Sequence, residues 1–177
     1  MNMKEQVIHH LREVEVKYSV RVLFAVESGS RAWGFASPDS DWDVRFVYAH
    51  PQDWYLSVHE RRDVIEQMLP NDIDLSGWDL RKAMRLFYKS NPPLLEWLDS
   101  PHLYMEQGQL RSLMLEARDS MFKPEAGVYH YLAMARRNWK EYLQGYEVRL
   151  KKYLYVMRPL LACGYIERTG RMAPMLF

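Results

Sequence analysis

The chain has 177 residues, 48% of them hydrophobic, enough for one ordinary domain with or without a helical appendage, and this composition excludes a disordered chain. Lys and Arg total 24 against 23 Asp and Glu, which excludes a protein coated in basic charge for indiscriminate DNA binding but not a local basic groove. The single cysteine, Cys163, rules out an intrachain disulfide and fits a reducing, cytoplasmic compartment.

The first stretch, "MNMKEQVIHHLREVEVKY", lacks the apolar core of a signal peptide. No window approaches the ~18 apolar residues of a membrane helix, so no membrane partner is expected. Val7, Leu11, Val14 and Tyr18 recur at steps of three and four, which predicts an amphipathic helix over 4–18. Residues 20–26, rich in Val and bounded by Ser-Gly-Ser, read as a buried strand ending in a turn. Residues 31–35 have room for one helical turn. "SPDSD" is a loop by its turn residues, 41–48 is a second strand, and "HPQDWY" ends it.

Residues 63–69 and 73–78 read as a hairpin joined by "PND". Asp79 is a good N-cap for a helix through about residue 89. Asn91 and Pro92 supply a cap and first-turn proline for a short helix, "PPLLEWL". Beyond residue 106 the strand signal disappears, and 106–120, 124–143 and 147–162 read as helices. Pro159 is expected to kink or end the last of them. The chain thus divides into an α/β part over 1–104 and an all-helical part over 105–177.

Two carboxylates open the second strand. Asp41 and Asp43 are two residues apart, so on a strand they share a face, with Cα atoms about 6.5 Å apart. Carboxylates at that reach can hold a pair of divalent ions about 3.5–4 Å apart. Gly29 and Ser30 lie at the end of the neighbouring strand. Glycine lets a backbone approach a phosphate, and N–H groups at a following helix start favour an anion. A third carboxylate is wanted for a two-metal phosphoryl-transfer site. Asp74, inside a strand between Ile73 and Leu75, is preferred to Asp72 in the turn. Ile73 and Leu75 are expected to pack against the helix that begins at Asp79.

Each feature has a plainer reading. Gly29 and Ser30 alone are an ordinary strand-to-helix turn. Asp41 can cap the turn, and Asp43 can pair with Arg31 or Arg45. The stretch "RLKKYLYVMR", with Arg149, Lys151, Lys152 and Arg158, is either a solvated face above inward-packed Leu150, Leu154 and Met157 or a triphosphate clamp. Lys151 and Lys152 point about 100° apart, so one of them is expected to reach the phosphates. Tyr129, Tyr131, Tyr153 and Tyr155 either stack a base or fill helix cores. The six histidines show no metal-ligand spacing.

Gly-Ser, a gap of about ten residues, Asp-x-Asp on a strand and a third strand Asp together resemble the DNA polymerase β-type nucleotidyltransferase superfamily. More narrowly, "GSRAWGFASPDSDWDVRFVY", "DIDLSGWDLRKA", "SNPPLLEWLDSP" and "LKKYLYVMRPLLA" in that order resemble the RlaP/YcgL group of RNA-repair nucleotidyltransferases. The resemblance spans about 27–174.

It implies an α+β fold: a small mixed β-sheet core with flanking helices, followed by an all-helical C-terminal part. It implies transfer of an NMP from an NTP, ATP among them, with two Mg2+ ions (or Mn2+) as cofactors. Asp41, Asp43 and Asp74 would be catalytic and metal-holding; Gly29, Ser30, Arg31, Lys151, Lys152 and Tyr153 would hold the nucleotide. The acceptor implied first is an RNA or DNA 3′ end. A protein hydroxyl, as in antitoxin-type adenylyltransferases, and a non-catalytic module that binds a nucleotide or a partner protein stand as alternatives. Relatives of the group continue past the position of Phe177, so part of the helical region is expected to be missing here.

Overall fold

The computed structural model describes residues 2–176. Helix α1 (Met3–Tyr18) opens with a reciprocal cap: Asn2 Oδ1 accepts from the Glu5 N–H, and the Glu5 carboxylate accepts from the Asn2 N–H, both at 2.9 Å. It buries Val7, Leu11 and Val14, the stripe read from the spacing. Strand β1 (Arg21–Glu27) follows, then the short helix α2 (Gly29–Trp33) and strand β2 (Trp42–Ala49). A turn of helix, α3 (Gln52–Tyr55), leads to the hairpin of β3 (Val64–Leu69) and β4 (Ile73–Asp79). Then come α4 (Leu80–Tyr88) and α5 (Pro92–Asp99), capped by Asp79 and Asn91 through side-chain bonds to Arg81 N and Leu94 N. Strand β5 (Leu103–Glu106) precedes the helices α6 (Leu110–Met121), α7 (Pro124–Tyr142) and α8 (Leu150–Thr169).

Among the described residues the strands form one sheet in the order β3-β4-β2-β1-β5. β4 runs parallel to β2, and every other pairing is antiparallel, so the sheet is mixed as expected. One face packs on α1 through Val22, Ala25, Val44, Phe46, Ile73 and Leu75. The opposite face, with Phe24, Val26 and Val47, continues into α4–α8 through Phe87, Leu94, Tyr131 and Ile166. That core crosses from the sheet into the C-terminal helices without a break in packing. No helix among the described residues is long and apolar enough to cross a membrane.

Four expectations need correction. Ile73 and Leu75 pack on the α1 side, whereas α4 lies on the other face beside Val47 and Trp78. β5 is a strand the sequence did not reveal; four residues give no periodicity, and it exists because β1 offers an edge. α8 runs through Pro159 rather than ending there, because the carbonyl of Tyr155, which loses its helical partner, accepts from Asn138 Nδ2 at 2.8 Å. On the same helix Leu150 and Met157 are exposed, while Val156, Arg158 and Ile166 are buried.

Candidate active site

Gly29 sits at φ +59°, in the left-handed region. A Cβ there would fall 2.0 Å from Asp43 Oδ2. The glycine therefore serves a close approach between the turn after β1 and the carboxylate on β2. Asp43 is itself fixed through its backbone: its N–H donates to Glu27 Oε1 at 2.9 Å, and its carbonyl accepts from Ser28 N at 2.8 Å.

The parallel register of β2 and β4 sets Asp43 opposite Asp74. Their carboxylates converge on one nitrogen: Arg45 Nη2 donates to Asp43 Oδ1 and to Asp74 Oδ2, each at 2.8 Å. Arg45 Nη1 also reaches the Asp74 carbonyl at 3.0 Å. Asp74 thus meets Asp43 as the alternation of β4 requires. Asp72 stays exposed in the turn at φ +56°. Asp41 lies just before β2, exposed, and lines the same cleft. Burial holds the Asp43 carboxyl above its usual range; Arg45 opposes this, and the charges of Asp74 and Asp41 add to it.

The cleft, about 240 Å3, is walled by Ser30, Ser40, Asp41 and Asp43 on one side and by Arg149, Lys151, Lys152 and Tyr155 of the α8 region on the other. Lys151 Nζ donates to Ser37 Oγ at 2.8 Å and to Ser40 Oγ at 2.6 Å, both neutral partners. Lys152 Nζ lies 3.7 Å over the Tyr142 ring and 5.1 Å from that of Tyr155. Both lysines therefore border the cleft, where the helical angle had suggested one. Neither they nor Arg149 form an ion pair among the described residues.

Two residues expected at the nucleotide do not line the cleft. Arg31 clamps the loop before β2, donating to the carbonyls of Asp41 (3.0 Å) and Ser40 (2.6 Å) with its guanidinium 3.8 Å over Trp42. Tyr153 is turned to solvent, and Tyr155 takes the place at the cleft. Burial raises the Tyr155 phenol, and the charges of Asp43 and Asp41 push it the same way. Glu27 was not singled out from the sequence. It is buried, bonded to Asp43 N and Tyr104 Oη, with a pKa pushed up to about 7, chiefly by burial. Its signal was an acid closing an apolar run directly before Ser-Gly-Ser.

Among the described residues no three His, Cys, Asp or Glu side chains are grouped closely enough to form a ready metal centre. The donor chemistry nonetheless fits a hard divalent cation. Two carboxylates already share one cationic nitrogen, and a third, Asp41, lines the cleft onto which Asp43 opens.

A family model described as RlaP, the RNA repair pathway DNA polymerase beta family, matches residues 3–177. The chain is 55% identical over 175 residues to the uncharacterized protein YcgL of Bacillus subtilis (strain 168), covering 99% of this chain and 67% of YcgL. A solved nucleotidyltransferase-like protein from Exiguobacterium sibiricum 255-15 aligns with 96% of this chain and 59% of its own, at 13% identity and a TM-score of 0.44. The chain thus spans under two thirds of that protein's length.

Proposed function

The chain belongs to the RNA repair pathway DNA polymerase beta family, and from that premise we propose that it is a Mg2+-dependent nucleotidyltransferase that moves an NMP from an NTP to the 3′ hydroxyl of an RNA. The observation that carries this reading is the convergence of Asp43 and Asp74 on a single cation beside a cleft whose far wall holds Arg149, Lys151 and Lys152.

Asp43 and Asp74, with Asp41, would hold Mg2+ once the Arg45 guanidinium withdraws. The ion would neutralise phosphate charge and make the acceptor hydroxyl more acidic. The chain does the remaining work by positioning. Lys151, Lys152 and Arg149 supply the positive charge that a triphosphate needs, and Ser30 and Ser40 offer hydroxyls beside it. Tyr155 borders the space the nucleotide would occupy. The acceptor oxygen forms a bond to the α-phosphorus, the bond from that phosphorus to the bridging oxygen breaks, and pyrophosphate leaves. The hydroxyl proton passes to the Asp74 carboxylate. Positioning and charge neutralisation supply most of the rate in such in-line transfers.

The test is incubation with Mg2+ and each α-labelled NTP in turn, with RNA carrying defined ends and with protein alone. Label in RNA bearing a free 3′ hydroxyl, lost when that end is blocked, is the expected result. Label in protein, or none with any NTP, overturns the reading.

A further inference from the structure

Away from the cleft, α4 presents an unusual outer face. Between residues 80 and 95 the chain carries Arg81, Lys82, Arg85 and Lys89 and no Asp or Glu until Glu96, which is buried. Lys82 is neutralised by Asp63 at 2.9 Å. Arg81, Arg85 and Lys89 make no ion pair among the described residues, and they follow one another at steps of four. Arg81 and Arg85 are like charges at a repelling i,i+4 spacing on α4, and Lys89 follows at its C-cap. The nearby acids do not offset this charge: Asp79 is buried and already accepts from Tyr55 Oη and Arg81 N, and Asp53 lies exposed on α3.

Between these cations lie exposed ring and thioether surfaces. Met84 and Tyr88 are 45% and 64% exposed. With Tyr55 and the three cations they line a groove of about 590 Å3. The Arg81 guanidinium stands 5.4 Å from the Trp54 ring and 5.8 Å from that of Tyr55, and Lys123 Nζ lies 4.6 Å over Tyr88. Trp54 is already stacked on His50, with ring centroids 4.1 Å apart, which leaves Tyr88 as the exposed ring among these cations, and such a pairing of ring and cation is a surface on which a base stacks while phosphates are neutralised.

We propose that the outer face of α4, continued by Tyr55 and Lys123, is the docking surface for the single-stranded body of the acceptor RNA, several nucleotides back from the end that reacts. The surface chemistry selects a single-stranded polyanion with flat bases; its identity as RNA rests on the proposed function. Placement agrees. Ala83 and Phe87 seat α4 on the sheet face that carries Asp43 and Asp74. Asp74 lies five residues before Asp79, about 17 Å along β4. A strand reaching both therefore spans several nucleotides, and a dinucleotide acceptor gains nothing from α4.

The test uses the full chain and a labelled 12-nucleotide single-stranded RNA in anisotropy titrations across a salt series. DNA of the same sequence and phosphatidylserine vesicles are run beside it. The variant Arg81→Ala/Arg85→Ala/Lys89→Ala should bind RNA at least tenfold more weakly. Its log–log salt slope should shrink by about 2, three lost phosphate contacts at about 0.7 each. Tyr88→Ala should weaken binding several-fold with no change in slope. Retention of the thermal shift with Mg2+ and ATP shows that fold and cleft are intact; Arg85→Glu alone replaces the triple variant should that one not fold. Single-stranded DNA of the same sequence should bind comparably, since stacking and phosphate neutralisation do not read the sugar; unchanged affinity and slope in the triple variant, or a preference for vesicles, overturn the proposal. A chain that transfers nucleotide but binds RNA independently of α4 refutes this inference alone. One that binds RNA through α4 but transfers nothing refutes the proposed reaction alone.

Discussion

Two arginine–carboxylate clusters in this molecule use the same chemical groups to opposite ends. At the first, Arg158 on α8 meets Glu96 on α5 at 2.9 Å, with side chains only 6% and 7% exposed. Glu96 Oε1 also accepts from Tyr131 Oη at 2.7 Å, and Oε2 accepts from Trp33 Nε1 at 3.2 Å. Arg158 donates to the Met175 carbonyl at 3.3 Å and lies 4.4 Å over Trp33. One positive charge faces one negative charge, and the chain satisfies both. At the second, Arg45 serves Asp43 and Asp74 together, with side chains 18–31% exposed. Two negative charges share one positive, in reach of solvent. The first cluster ties α2, α5, α7 and α8 together, so it holds the turn at Gly29 in place against the helices. The second is short of positive charge by design of the register, which suits a site that admits a cation.

Removing one group from each cluster separates the two. Arg158→Met strands the Glu96 charge in the core and should cost about 3–5 kcal/mol of stability, read by urea denaturation. Asp43→Asn and Asp74→Asn should do the reverse. Each relieves a carboxylate excess, so the melting temperature should hold or rise, while nucleotide transfer falls at least a hundredfold, about 2.7 kcal/mol in barrier. If Asp43→Asn unfolds the protein as readily as Arg158→Met, the second cluster is structural and the comparison fails.

What the sequence made legible follows from which interactions are local. Helix caps at Asp79 and Asn91, the stripe of α1 and the alternation that turns Asp43 and Asp74 to one face all depend on neighbours within a few residues. The family motif located Gly29, but not why glycine is needed, because the clash is with Asp43, fourteen residues on. Arg45 appeared only as a partner for Asp43; that it also bridges to Asp74 depends on a parallel pairing across 29 residues. Tyr155 and Tyr153 are indistinguishable by type and nearly by position. Only the packing of α7 on α8, with Asn138 under Tyr155, decides which one faces the cleft. Arg158 read as part of a basic surface because nothing in its own stretch announces Glu96.

Glu27 is another buried acid, with a setting between those of the two clusters. It is as buried as Glu96, yet its bonds come from a phenol and a backbone amide rather than a guanidinium. Burial raises its pKa from 4.5 to about 7, against those hydrogen bonds. The folded state therefore keeps a proton that the unfolded chain releases above about pH 4.5. Its contribution to stability is full below that pH and is lost as pH rises through about 7. Wild-type protein should lose about 1–2 kcal/mol between pH 5.5 and 7.5 relative to Glu27→Gln, whose amide cannot titrate. Parallel pH profiles for the two proteins would show that Glu27 is ionised throughout.

The smallest expected effect tests the register on which the second cluster depends. Asp72 and Asp74 are two residues apart and of identical chemistry, and the hairpin alone separates them. Asp72 occupies the left-handed region with Asn71 beside it, at φ +56° and +63°, in the tight turn between β3 and β4. Its carbonyl accepts from Trp42 N at 2.7 Å, a backbone bond that a side-chain change leaves alone. Its carboxylate is exposed and forms no ion pair among the described residues. Asparagine tolerates the left-handed region at least as well as aspartate. Asp72→Asn should therefore shift stability by no more than about 0.5 kcal/mol and leave transfer at the wild-type rate. Asp74→Asn, assayed beside it, should lose transfer while keeping the Mg2+–ATP thermal shift, since Asp41 and Asp43 remain. Loss of transfer in Asp72→Asn with activity intact in Asp74→Asn would mean that β4 pairs with β2 in a different register from the one seen here.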